Sequence, residues 1–394
     1  MSPREVVVVS GVRTAIGDYG GSLKDVAPTK LGAIAIKEAV GRARLEPGAV
    51  GHVVMGSVIH GEARDMYLSR VAAIDAGLPV GTPCLTVNRL CGSGLQAIVS
   101  AAQHILLGDT DVVVGGGAES MSRAAYMLPA ARWGQRMGDE PAVDAMTAAL
   151  HDPFGHGHMG ITAENIAAKF GFTREQQDAF ALESHRRAEN AVAKGLFKDQ
   201  VVPVEVRTRK GTESFTSEEH VRPGLRIEDL QKLKAVFKKD GTVTAGNASG
   251  LNDAGAAIVM CSSDYSKKNN LKPMARLVAY AHAGVEPQVM GLGPIPAVKR
   301  VFEKSSLKPA DMDVIESNEA FAAQAMAVTK DLGLDPEKVN PNGGAVALGH
   351  PIGATGAILT VKALYELERT QKRYALVTMC IGGGQGIAAI FERL

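Results

Sequence analysis

The chain has 394 residues, 45% of them hydrophobic and 22% charged, with a formal net charge of +1. That balance excludes a disordered polymer and argues against a polyanion such as DNA as the main partner, while leaving room for a local basic patch facing a small phosphorylated ligand. The length accommodates two or three domains, and the four cysteines (Cys84, Cys91, Cys261, Cys380) form no C-x-x-C pair, so free thiols in a reducing compartment are expected.

The N-terminus enters a strand directly, with neither an apolar h-region nor an Arg/Ser-rich transit segment. The C-terminal Glu-Arg-Leu is not a peroxisomal signal, and no apolar run reads as long enough to span a bilayer. A cytoplasmic location is the expectation. Strands are predicted at Val6–Ser10, His52–Ile59 and Asp111–Gly117, alternating with amphipathic helices at Thr29–Ala43 and Gly94–Gly108. From Met121 to Gly246 the chain is richer in charge and loop residues, and it reads as an insertion. Strands resume at Ala256–Ser262, Ala275–Ala281, Asp313–Ala320 and Tyr374–Cys380. The alternation implies an α/β fold with largely parallel sheets covered by helices on both faces. The expected units are an N-terminal half at residues 1–122 and 247–274, a loop domain at 123–246, and a C-terminal half at 275–394.

A faint repeat links the halves. NRLCGSGLQAIVSAAQHILLGDTDVVVGGGAE and GHPIGATGAILTVKALYELERTQKRYALVTMCIGGGQG each run from a reactive residue through a small-residue turn, an apolar helix and a β run to a triple glycine. Aligned this way, Cys91 and His350 are counterparts at two helix N-termini, and they converge if the halves pack face to face. Unpaired N–H groups at such a terminus favour a thiolate. Neutral His350 can take the Cys91 proton. Cys380 reads either as a second acid/base or as a buried strand residue, and the amides of Gly382 and Cys91 can form an oxyanion hole. Asn318 reads either as a helix N-cap or as a residue that fixes a water or donates to an enolate oxygen, with Glu319 and Phe321 orienting and lining the site. Ala245–Ala257 suits backbone contact with an extended ligand. His156 and His158 have a metal-compatible spacing without a third ligand, so no metal is expected. Cys84 and Cys261 read as structural.

Taken together and in order, NRLCGSGLQAI, GGGAESMS, HMG, GNASGLND, NEAFA, GHPIGATGA and CIGGGQG resemble the thiolase family over essentially the whole chain. Within it the similarity is to bacterial acetyl-CoA acetyltransferases and the β-ketothiolases of polyhydroxyalkanoate synthesis. The resemblance implies two similar βαβαβαββ halves in a five-layer α-β-α-β-α arrangement, with an inserted CoA-binding loop domain. The family assembles as a dimer or a dimer of dimers, and the homotetramer is the expectation here. The resemblance implies that Cys91 is acylated by an acyl-CoA with His350 as base, and that Cys380 removes an α-proton from acetyl-CoA. The amides of Cys91 and Gly382 would hold the acyl oxygen, and His350 with a water on Asn318 the enolate oxygen. His158, Met159, Arg222, Ala245, Ser249 and Phe321 match positions that contact CoA or the acyl group, and Leu150 and Met290 match pocket-lining positions. Coenzyme A thioesters are then substrates, with no permanent cofactor. The stretch FGHGHMG varies from the usual biosynthetic pattern, which leaves acyl preference open.

Two other classes compete. Gly92–Ala97 fits the G-x-G-x-x-A dinucleotide fingerprint with Glu119 downstream, but that acid lies beyond a triple glycine and the fingerprint explains neither Cys91 nor the repeat. A redox sensor would use Cys380 as the resolving thiol. A ketoacyl synthase would need histidine in place of Cys380.

Overall fold

The first half opens with β1 (Val6–Thr14), α1 (Pro28–Arg42), β2 (His52–Gly56), α2 (Leu68–Asp75), β3 (Cys84–Val87), α3 (Ser93–Leu107) and β4 (Val112–Ser120). A long excursion carries α4 (Met159–Phe170) and α5 (Arg174–Ala193) before β5 (Asn252–Ser262) rejoins the sheet. The second half repeats the pattern with β6 (Ala275–Gly284), α6 (Pro294–Ser305), β7 (Val314–Ser317), α7 (Ala322–Asp331), α8 (Thr355–Thr370), β8 (Tyr374–Ile381) and β9 (Gln385–Arg393). The computed structural model describes residues 4–209 and 211–394; residues 1–3 of the expected first half and Lys210 of the expected loop domain lie outside the described residues.

The first sheet has the order β3-β2-β4-β5-β1 and the second β7-β8-β9-β6, with a parallel bridge from Ile315 to Val339 extending the second edge. The two sheets meet along β1 and β6, where Val7 pairs with Arg276 and Val8 with Ala275. In each half the outer strands are parallel (β3, β2 and β4; β7 and β8), but β5 and β9 run antiparallel to both their neighbours. The sheets are therefore mixed rather than largely parallel. In the second half the cause is plain: Gly382–Gly384 is too short for a crossover, so β8 and β9 must form a hairpin.

Side-chain alternation assigns the layers. Val6 and Val8 of β1 point into the central core, while Val7, Val9 and Val12 point outward under α1 and α2. The change of phase between Val9 and Val12 follows the bulge between Val8 and Ser10. The central core is filled by α3 and α8, which lie between the two sheets. On the far face of the second sheet, α6 and α7 bury Val298, Val301, Phe302 and Val328. Five layers result. The two central helices touch at their first turns, where a Cβ on Gly94 would stand 2.7 Å from the Ala357 nitrogen and a Cβ on Gly356 2.7 Å from the Leu95 Cβ.

The central position of α3 corrects one expectation. Leu90–Leu107, 18 residues with a mean hydropathy of 1.3, is long and apolar enough to cross a bilayer by length and composition. Here its Leu95, Ile98 and Ile105 are fully buried between the sheets, while Gln96, Ser100, Gln103 and His104 form a half-buried polar stripe, so the run is a core helix of the fold.

The excursion is tied back to β1 by a buried pair. Arg13, wholly enclosed, meets Glu218 at 2.6 Å, donates from Nε to Gln200 at 2.7 Å, and lies 4.9 Å over the Phe197 ring. Thr173 caps α5 in a reciprocal capping box with Gln176.

Candidate active site

A cleft of about 460 Å³ opens where the start of α3, the turn before α8, the β8–β9 turn and the inserted segment meet. Cys91 lines it two residues before α3 begins. The preceding turn is tight: Ser93 Oγ accepts from the Arg89 N–H at 2.8 Å and donates to the Leu90 carbonyl at 2.7 Å. It holds Leu90 at φ +45°, a left-handed conformation that costs a leucine energy and directs the chain into the cleft. The N–H groups of Gly382 and of Cys91 itself are directed at the sulfur and favour its thiolate. Burial outweighs them and pushes the thiol up to about 11. Cys91 at rest is a protonated thiol that needs a base.

His350 lines the same cleft, 5% exposed. Thr355 Oγ1 donates its one hydrogen to the Pro351 carbonyl at 2.9 Å, so the 2.6 Å contact between His350 Nδ1 and Thr355 Oγ1 has Nδ1–H donating. The Nε2 lone pair is thereby left on the side facing Asn318, whose Nδ2 lies 3.4 Å away. Burial lowers the imidazole to about 4, so the ring is neutral near pH 7. The His350 N–H donates to Asn252 Oδ1 at 2.8 Å, which fixes the backbone ahead of the turn.

Two predicted residues stand just behind the cleft wall. Cys380 is fully buried against Met159, Met290 and Phe321, and both burial and the neighbouring Cys91 push its thiol well above the ordinary range. Asn318 is fully buried at the end of β7, and its Oδ1 accepts no hydrogen bond among the described residues. It is not an N-cap, because α7 begins at Ala322 with Phe321 in the cap position. Glu319 does not line the cleft. It turns away to accept from Ser184 Oγ and Asn340 Nδ2 at 2.7 Å and from the Val346 N–H at 3.2 Å.

The other expected contacts all line the cleft: His158, Met159, Arg222, Ala245, Ser249, Phe321, Leu150, Met290 and Gly382. His158 caps α4 by accepting the Gly160 N–H at 3.0 Å on Nδ1, and its ring stacks on Phe237 at 4.6 Å. Arg222 reaches Asp18 at 3.2 Å, beside the contact of Asp18 with His220 Nδ1, and remains 60% exposed at the mouth. Sequence reasoning did not identify Thr355, His220, Phe237, Met121 or Met146. Thr355 could have been suspected from GHPIGATG, five residues after His350, and Met121 from GGGAESMS; His220, Phe237 and Met146 belong to segments with no motif. Of the remaining cysteines, Cys261 lies in the core under α1 and Cys84 is half-buried in the edge strand β3.

The repeat needs one adjustment. Gly94 and Gly356 are the equivalent positions of α3 and α8, yet Cys91 lies two residues before α3 and His350 five before α8. The two residues are neighbours across the interface but not counterparts in the repeat. The triple glycines also differ, since Gly115–Gly117 lie within β4 and Gly382–Gly384 form the turn after β8.

Comparison with known proteins agrees with this geometry. Residues 6–264 match the family model of the thiolase N-terminal domain, and residues 271–393 that of the thiolase C-terminal domain. The chain is 66% identical to the beta-ketothiolase BktB of Cupriavidus necator over 392 residues, covering 99% of this chain and 100% of that one. It is 48% identical to an acetyl-CoA acetyltransferase of Allochromatium vinosum over 391 residues, covering 99% of each. The crystal structure of human mitochondrial 3-ketoacyl-CoA thiolase superposes with a TM-score of 0.98 at 45% identity over 99% of each chain. Its complex with CoA gives 0.96 at 44% identity over 99% of this chain and 98% of that one. With the cleft, the doubled fold and these matches in agreement, the chain belongs to the thiolase family.

Proposed function

We propose that this enzyme condenses acetyl-CoA with an acyl-CoA to a 3-ketoacyl-CoA, and runs the reverse thiolysis, through an acyl-Cys91 intermediate. The observation that carries this is the meeting of Cys91, the Gly382 amide and neutral His350 on one cleft. His350 Nε2 takes the thiol proton as Cys91 Sγ bonds to the acyl carbonyl carbon. The carbonyl oxygen becomes an oxyanion facing the N–H groups of Cys91 and Gly382. The C–S bond to CoA then breaks, and the CoA sulfur leaves with a proton from Cys380.

That transfer makes Cys380 a thiolate in an apolar setting, hence a strong base. It removes an α-proton from acetyl-CoA, and the enolate oxygen is held by protonated His350 and a water on Asn318. The α-carbon attacks the acyl carbonyl and the bond to Cys91 breaks. Cys91 Sγ recovers its proton from His350, so both thiols and the neutral imidazole are restored. Because burial disfavours a lone imidazolium, His350 carries its charge only while an anion sits opposite.

His158, Met159, Arg222, Ala245, Ser249 and Phe321 bind the CoA thioester, Leu150 and Met290 shape the acyl pocket, and residues 123–246 form the CoA-binding unit. A cytoplasmic homotetramer is the proposed form. The test is thiolysis of acetoacetyl-CoA beside longer 3-ketoacyl-CoA substrates, with Cys91→Ser as control. CoA-dependent cleavage that vanishes in Cys91→Ser is expected; no cleavage of any substrate defeats the assignment, and full activity in the variant defeats the mechanism.

A further inference from the structure

Glu119, in β4, is fully buried and takes no part in the steps above. Its carboxylate accepts three backbone N–H groups: Oε2 from Val58 at 3.1 Å and Gly353 at 2.8 Å, and Oε1 from Ile59 at 3.1 Å. Val58 and Ile59 follow β2 in the first half, whereas Gly353 belongs to the second, three residues beyond His350. The carboxylate thus bridges the two halves at the turn that carries the base.

The fit around that bridge leaves no slack. A Cβ on Gly353 would stand 2.5 Å from Glu119 Oε2 and 2.9 Å from Ser57 Cα, and a Cβ on Gly56 2.7 Å from the Gly353 carbonyl. The turn is closed internally by the Ala354 N–H on the Pro351 carbonyl at 2.8 Å and by the Thr355 hydroxyl on the same oxygen. Holding Gly353 therefore holds the whole segment on which His350 and its Nδ1 partner ride. The acid is not there to activate sulfur: its negative charge opposes the Cys91 thiolate. Burial and the facing Asp65 push Glu119 up to about 8 even with three N–H donors. A group so costly to bury is retained for the link it makes.

We propose that Glu119 is a positioning residue, whose carboxylate grips Gly353 across the interface between the halves and so holds the His350 turn over Cys91. This rests on Cys91 and His350 acting as nucleophile and base. The titratable groups facing the pair are His350 and Cys380 on the Cys91 side and Asp65 on the Glu119 side.

Two variants of the full chain separate reach from charge. Glu119→Asp keeps the charge but falls short of Gly353 by one methylene. Glu119→Gln keeps the reach, since its amide oxygen can stay on the Gly353 N–H, but it gives up the acceptor for the Ile59 N–H and cannot ionise at the high pH where Cys91 titrates. The expected kcat of Glu119→Asp is roughly 10²-fold lower, with KM within about twofold, as misplaced catalytic groups behave. Glu119→Gln loses less kcat. In Glu119→Gln the pH midpoint of Cys91 alkylation by iodoacetamide moves down, because a facing negative charge is gone; in Glu119→Asp it stays. A loss in Glu119→Gln equal to or larger than that in Glu119→Asp overturns the proposal, as does wild-type kcat in both. If Glu119→Asp fails to fold by circular dichroism, Glu119→Gln decides alone: an unmoved midpoint with a loss of roughly 10²-fold or more overturns it. A wild-type protein without thiolysis sinks the functional reading itself, whereas an active wild type matched by both variants sinks only the role of Glu119.

Discussion

In the first half Cys91 is presented on a short turn, with a strained Leu90 held by the Ser93 hydroxyl at the helix start, and it faces the amide of Gly382 from the second half. In the second half His350, Asn318 and Cys380 are enclosed, and His350 is held by side chains, through Thr355 on the ring and Asn252 on its N–H. A charged network lies beneath it, where Lys362 Nζ donates at 2.7 Å to both Glu316 Oε2 and the Gly343 carbonyl. The connections contrast as well. Three glycines join β8 to β9, whereas the excursion between β4 and β5 holds α4 and α5. One duplicated frame thus carries two kinds of support. A nucleophile that must meet a bulky thioester is best exposed on small backbone, and a base that must stay neutral is best buried in fixed polar partners.

That contrast can be broken most directly at the reactive residues. Replacing Cys91 with Ala is expected to lower kcat for thiolysis by roughly 10⁴-fold or more, since Cys91 lines the cleft and two amides are aimed at its sulfur. Replacing Cys380 with Ser should leave partial acylation of Cys91, read as a burst of CoA release, while condensation is lost. Equal loss of both steps would argue against separate roles.

The polar support of the second half predicts the next effects. Thr355→Val removes the acceptor for Nδ1–H and should cost roughly 10²-fold in kcat, measured by steady-state thiolysis, with Thr355→Ser restoring most of it. Lys362→Met strands the Glu316 carboxylate and should destabilise the fold by about 3–5 kcal/mol in denaturant unfolding. The backbone support of the first half predicts a steric penalty instead. Gly94→Ala should cost about 1–3 kcal/mol by overpacking against α8, with Gly356→Ala at its partner position behaving alike.

The smallest expected effect is an absent one. The His350 imidazole sits near 4 rather than 6.5, so its base form persists as pH falls, and pre-steady-state acylation of Cys91 should show no inflection between pH 7 and about 5. The sign for stability is opposite to that of a salt-bridged histidine. The unfolded chain takes the proton first, so this group's contribution to stability declines as pH drops from 6.5 toward 4. An inflection near 6.5 in the acylation rate would place His350 in a wetter setting than the fold gives it.

The alternating β-branched and amphipathic runs, the doubled motif order and the three reactive residues were legible in the chain, because each rests on local periodicity or on residue type at a turn. The loop lining partners His220 and Phe237 were not, since they reach the cleft through a segment with no periodic pattern. Strand direction escaped as well: hydrophobic runs look alike whether their neighbours run with them or against them. The apolar run Leu90–Leu107 read differently again, because only the second sheet reveals that a helix apolar enough for a bilayer is enclosed by protein. By itself the sequence determined which residues carry reactive atoms and which lie near helix starts. The tertiary structure alone decided that Cys91 is a protonated thiol, that Thr355 leaves His350 Nε2 free, and that Glu119 joins the halves at Gly353. Protonation depends on burial, and Cys91 and Glu119 meet partners hundreds of residues away; the Thr355 contact that sets the His350 tautomer is close in the chain, but only the folded turn fixes its geometry.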